Sequence, residues 1–251
     1  MTGGDLMNLA RERGTRWLPD PPLTTIAEAG AFVGRVGFAV LFPAGQVTAP
    51  SLWEAVAGPD AEPFATGMGP AEELVWTWKD ELPRVGAAWY GKFVHKRASL
   101  LSPALLAALY PGAGEPTDHA DLDLPADAHR IAEALLTGPL PSAALRELVG
   151  DRGRYDRGMT ALQRNLLVTS AGTRVYRTGW PAAVVDLTCR RFDVGGGPDH
   201  DDATARFVAT MVEATPAELS RAFGWRVAVA RERLAALPEG WMLPEGSDPA
   251  V

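Results

Sequence analysis

The sequence predicts a mainly α-helical protein with small β-hairpin wings, built from winged helix-turn-helix modules in tandem. Three observations carry that expectation. Residues 127–180 hold three helical patterns followed by two β-rich runs around a glycine turn. Residues 203–237 hold a second series of helical patterns separated by capped turns. Pro/Gly-rich stretches at 59–70, 111–126 and 191–202 cut the chain into pieces of small-module size.

Taken in order, residues 1–22 read as an irregular arm ending in the Pro-Asp-Pro-Pro cluster at 19–22. Thr24 or Thr25 caps a helix with apolar residues at Ile26, Phe32, Val33 and Val36. Phe38 to Phe42 is a short buried run, and Ser51 caps a second helix closed by Gly58. Ser102 caps a helix whose first position is Pro103. These elements make a divergent first module at 23–115 that contains a tryptophan-rich segment.

The second module, 125–192, begins with a helix over Asp127–Thr137 and a tight turn at 138–141. A second helix is capped by Ser142 and a third runs over Tyr155–Asn165, after an Asp-Arg-Gly-Arg turn. The runs LLVTS and TRVYRTG flank Ala171-Gly172 as a hairpin. Three helices and then a hairpin is the order of a winged helix, whose third helix enters the major groove while the wing tracks the backbone. Residues 191–202 read as a flexible acidic linker. The third module, 202–237, has Thr215 as cap and Pro216 at the first helical position, and lacks a clear wing; 238–251 is a tail.

Charge narrows the function. The chain of 251 residues has a formal charge of −7, so nucleic-acid binding requires a local basic face. Such a face is concentrated between Arg146 and Arg177, where seven arginines meet three acids. Arg152, Arg154 and Arg157 flank the start of the third helix, Gln163 and Arg164 offer base-edge contacts near its end, and Arg174 and Arg177 sit on the wing. The only other reading is a solubilised helical module. Lys92, Lys96 and Arg97 add a second basic group. A single cysteine, Cys189, fits a reducing compartment, and the longest apolar run, Ala39–Ala44, is too short to span a bilayer. A cytoplasmic protein is expected.

The stretch from Glu72 to Tyr110 interleaves Trp76, Trp78, Trp89 and Tyr90 with all three lysines and His95. On an extended segment Trp76 and Trp78 would share one side, a surface suited to stacking on flat or anionic partners. The alternative is a tryptophan-anchored core with a charged rim. Asp199, His200, Asp201 and Asp202, like His119 with Asp118 and Asp121, read as solvated groups rather than metal ligands. Gly195–Gly197 is followed by Pro198 and makes no phosphate loop. His129 reads as structural.

GFAVLFPAGQVTAPSLWEAVAG, WTWKDELP, WYGK, HKRASLLSPALLAALY, ALLTGPLP, ELVG and LQRNLLV together resemble the AlkZ-related winged-helix family, the group around the AlkZ/YcaQ DNA glycosylases. The resemblance covers roughly residues 24–237, and WKDELP with the LFP-to-LWEAV block is similar to a shorter branch of that family. It implies a bowl of winged helices on duplex DNA, damaged DNA included; no cofactor, metal or membrane partner is expected. In active members the N-glycosidic bond of alkylated or crosslinked purines is hydrolysed. Those members carry a Gln-x-Gln or Gln-x-Asp pair that positions water; here the matching place falls at or beside Val40-Leu41-Phe42, with Gln46 out of register. The family's His-Glu segment resembles His95-Lys96. The titratable groups left to test are Asp80, Glu81 and His95, and the first two serve equally well as a helix cap or as partners of Lys79. Three functions follow: DNA binding without standard glycosylase activity, a glycosylase with an altered water-positioning set, or protein or small-molecule capture by the tryptophan cluster.

Overall fold

The computed structural model describes residues 16–43, 49–59, 61–175 and 181–238. Helices alternate with two antiparallel three-stranded sheets, and one succession of elements occurs twice. The first is α1 (Ile26–Val36), β1 (Phe38–Val40), α2 (Leu52–Ala57), α3 (Pro70–Arg84), β2 (Trp89–Lys92) and β3 (Ala98–Leu101), with sheet order β1-β3-β2. After α4 (Pro103–Leu109) come α5 (Ala126–Leu135), β4 (Leu140–Pro141), α6 (Ser142–Val149), α7 (Arg152–Arg164), β5 (Val168–Arg174) and β6 (Ala182–Leu187), with order β4-β6-β5. Three helices close the described chain: α8 (His200–Thr210), α9 (Pro216–Phe223) and α10 (Val227–Ala236).

Local chemistry sets most helix starts. Thr25 caps α1 in a reciprocal box, its hydroxyl accepting from the Glu28 N–H while the Glu28 carboxylate accepts from the Thr25 N–H. Ser51, Ser102 and Thr215 each accept from the N–H three residues on, as expected.

Several expectations are corrected. Trp76 and Trp78 lie on a helix, about 200° apart in azimuth at 3.6 residues per turn. The buried positions Val75, Trp78, Lys79 and Leu82 repeat at helical spacing, a period wider than the local Trp-Thr-Trp alternation. Helix α7 begins at Arg152, because Asp151 accepts from the Arg154 N–H and turns the supposed Asp-Arg-Gly-Arg loop into the first helical turn. Ser142 is the first residue of α6 rather than its cap. Ala171-Gly172 is a bulge inside β5, which continues to Arg174, and not the turn of the hairpin. Gly172 has φ +104°, and a Cβ there would sit 3.0 Å from Arg84 Cδ.

Residues 191–199 are no loose linker. Phe192 is buried, Asp199 donates its N–H to Ala108 O at 2.9 Å, and Gly195 lies so close to Ala113 that a Cβ would come within 2.4 Å of its carbonyl. Asp199 caps α8, and Asp118 accepts from the Tyr110 hydroxyl and from the N–H groups of Ala113, Gly114 and Glu115. Both carboxylates are structural.

One core runs through all of these elements. The seam between the two sheets is specific: the Thr169 hydroxyl accepts from Tyr90 N–H at 3.1 Å and donates to Tyr90 O at 3.0 Å. The Trp89 indole N–H meets Thr188 Oγ1 at 3.1 Å. The last helices are stitched to the first part by Trp17 Nε1 on Thr210 O, Thr210 Oγ1 on Val36 O, and Phe207 stacked on Phe38. Arginines serve as staples here: at the end of α5, Arg190 donates to Leu136 O and to Leu135 O, which also accepts from the Gly138 N–H.

Candidate nucleic-acid interface

The tip of the β2–β3 hairpin, Phe93–Arg97, is folded by its own residues. Phe93 N–H donates to Arg97 O, and Ser99 Oγ accepts from Val94 N–H while donating to Gly91 O. His95 and Lys96 take left-handed conformations, φ 51° and 59°, which non-glycine residues adopt at a cost. The bent tip reaches α9. His95 Nε2 stands 3.9 Å from Glu218 Oε2, and both atoms are buried without a hydrogen-bond partner among the described residues. Burial pushes the imidazole pKa down; Glu218 opposes this, and Arg221 and Arg97 add to it.

Beside this contact Lys96, Arg164 and Arg221 line one cavity of about 430 Å3 with Phe93, Asp123 and Asn165. The same three cations line a neighbouring cavity of about 420 Å3 with His95 and Trp225. The cations come from the hairpin tip, the end of α7 and the end of α9. Arg221 is paired with Glu218, whereas Lys96 and Arg164 have no ion-pair partner among the described residues. Lys92 and Arg97 are exposed on the same hairpin, and the Lys92 N–H donates to Gln163 Oε1 at 3.3 Å. So the structure brings Lys92, Lys96, Arg97, Gln163 and Arg164 into one neighbourhood.

The remaining arginines of the basic cluster differ. Arg154 forks onto Asp127 at 2.8 and 2.7 Å and holds that carboxyl below its usual range. Arg152 faces Asp156 at 3.8 Å, Arg157 and Arg174 are exposed, and Arg177 lies outside the described residues. Arg146 stacks on Tyr155 at 5.3 Å.

The tryptophan stretch splits. Trp89 is fully buried and Trp78 is 5 % exposed, so neither indole is available to stack on a partner; Trp76, 51 % exposed, and half-buried Tyr90 remain. Lys79 Nζ lies 4.8 Å from the Trp76 ring centre and 5.5 Å from that of Tyr90, and pairs with Asp80 at 2.5 Å. Asp80 also accepts from Ser170 Oγ at 2.7 Å, and burial pushes the Tyr90 phenol well above its usual range. Trp76, Lys79, Asp80, Glu81, Ser142 and Arg146 line a cleft of about 680 Å3. Glu81 is held by Arg84. Asp80 and Glu81 are therefore neighbours of Trp76, while His95 belongs to the basic junction.

Sequence reasoning passed over Arg221, Glu218, Trp225 and Ser170, which lie far in sequence from their spatial partners; the acid–base pair three apart on capped α9 was the available signal. Val40 and Leu41 are buried, and Phe42 packs on Trp53 and Phe64 at 5.8 and 4.9 Å; Gln46 lies outside the described residues. Among the described residues no cluster of His, Cys, Asp or Glu is placed to hold a metal ion, and no helix is long and apolar enough to cross a membrane.

Comparison with known proteins agrees with the resemblance read from the motifs. A family model described as AlkZ related matches residues 23–224, while no curated protein and no solved structure matches the chain. The match spans most of the chain and both repeats of the helix, strand and hairpin order, and the protein belongs to the AlkZ-related family.

Proposed function

We propose that the protein binds duplex DNA, damaged DNA included, and acts in damage recognition or repair without the Gln-x-Gln/Asp pair of the active glycosylases. Its modules would be winged helices at 23–115 and 125–192, with a wingless third at 202–237. The twice-used order of elements, with each first strand beside the third, supports the winged-helix reading. Membership of the AlkZ-related family points to DNA as the partner.

The observation that carries the proposal is the meeting of Lys96, Arg164 and Arg221 from three separate parts of the chain. In a protein of net charge −7, cations gathered in one place, of which only Arg221 is ion-paired among the described residues, favour a polyanion. Fluorescence anisotropy on a labelled duplex tests this. Affinity should fall steeply with salt, and the double variant Lys96→Ala/Arg164→Ala should lower the log–log salt slope by about 1 where the two cations share one phosphate and by about 2 where each meets its own. Salt-independent or absent binding overturns the reading.

A second reading, glycosylase activity with an altered set, is favoured by the buried Asp80 carboxylate at the 680 Å3 cleft. Release of the alkylated base with formation of abasic sites in the duplex, lost in Asp80→Asn, would support it. Intact alkylated DNA after prolonged incubation would exclude it.

A further inference from the structure

We propose that the junction of the hairpin tip with α7 and α9 is a pocket for one unstacked nucleotide, resting on the nucleic-acid reading above for its choice of ligand. A duplex backbone needs a rail of cations and no cavity. Here the cations border two adjoining cavities of about 430 and 420 Å3, within the roughly 300–1,000 Å3 range of small-ligand sites. Lys96, Arg164 and Arg221 are shared by both cavities, and so can hold a phosphate between them while the base enters the first.

The walls of that first cavity suit a base. Phe93, Leu124 and Pro125 offer apolar surface, and Asp123 and Asn165 offer polar edges. The Asn165 amide donates to Ala161 O at 2.9 Å, which leaves its carbonyl oxygen as an acceptor. An ionised Asp123 is acceptor-only. Two acceptors match a base edge that carries adjacent N–H donors, which is the Watson–Crick edge of guanine.

The packing beside the second cavity, which His95 lines, is also unfinished. His95 Nε2 and Glu218 Oε2 are buried 3.9 Å apart, each without a hydrogen-bond partner among the described residues. His95 and Lys96 hold left-handed backbone at the same place. Unsatisfied polar atoms and backbone strain side by side are typical of binding sites rather than of structural seams.

The nucleotide has two sources: free in solution, or extruded from a strand. Isothermal titration with GMP, guanosine, inorganic phosphate and AMP is paired with anisotropy on a fully paired duplex and on the same duplex with one bulged guanosine. GMP should bind at least tenfold tighter than guanosine or phosphate. Arg164→Ala should weaken GMP by tenfold or more, and Asp123→Asn should erase the preference for GMP over AMP. Thermal melting of each variant confirms that it is folded. GMP binding with tighter capture of the bulged duplex supports an extruded nucleotide; GMP binding without that preference supports a free one. If GMP binds no better than phosphate and the bulge makes no difference, the pocket is overturned, while salt-dependent binding of the paired duplex would leave the DNA reading standing. Loss of duplex binding as well would overturn both.

Discussion

Two charged sites in this protein are built from similar residues and come to opposite states. In the cleft at α3, Lys79 and Asp80 are 10 % and 8 % exposed and satisfy one another, with Ser170 and the Trp76 ring completing the set. At the hairpin junction, Lys96 and Arg164 are exposed and without an ion-pair partner among the described residues, and His95 and Glu218 face each other at 3.9 Å, short of a hydrogen bond. The first site spends its charge internally and ties α3 to β5 through Asp80 and Ser170. The second leaves Lys96 and Arg164 unpaired among the described residues. Counting arginines along the chain does not separate these states; pairing does.

The sharpest contrast comes from removing one charge at each site. Asp80→Ala strands a buried ammonium and should cost about 3–5 kcal/mol in urea unfolding, with DNA affinity of the folded fraction unchanged. A loss of affinity with stability intact would move the cleft into the binding surface. Lys96→Ala/Arg164→Ala should do the reverse: unfolding free energy within about 0.5 kcal/mol of the parent, as for exposed surface changes, and duplex affinity at moderate salt lower by about tenfold or more. Arg154→Ala sets a control inside the same basic cluster. Its guanidinium is already forked onto Asp127, so affinity should change less than about twofold, against a larger drop for Arg157→Ala. A large loss in Arg154→Ala would show that the fork opens on binding.

The smallest effect concerns pH. Burial lowers the His95 pKa in the folded protein, so below the unfolded value of about 6.5 the unfolded chain binds the extra proton more readily. Stability contributed by neutral His95 is therefore present above that value and lost as pH falls below it. His200, depressed in the same direction, adds to the trend. His95→Gln should flatten, without abolishing, the fall in melting temperature from pH 7 to pH 5. An unchanged slope would place His95 in water.

Much of the fold was legible because it is written in short-range chemistry. Thr25 with Glu28, Ser51, Ser102 with Pro103, and Thr215 with Pro216 are capping patterns completed within four residues, and each marks a real helix start. Asp151 was equally local, yet arginine and glycine after it disguised a helical turn as a loop. Trp76 and Trp78 misled because a spacing of two fits a strand over three residues, while Val75, Trp78 and Leu82 show the helix only over eight. The 191–199 segment looked loose because its glycines and acids are loop-like in composition; its order comes from Ala108 and Ala113, some 80 residues earlier.

The basic character of residues 146–177, the place of the helices and the family motifs follow from residue order alone, since propensity, capping and net charge are properties of neighbouring residues. Which cations remain available is a different kind of fact. Arg154 is neutralised by Asp127, which precedes it by 27 residues, while Arg164 is brought to Lys96 and Arg221 across 68 and 57 residues of chain. Packing of one shared core chooses those encounters, because burying the apolar faces of the helices brings charged ends together whose separation along the chain carries no trace of the meeting.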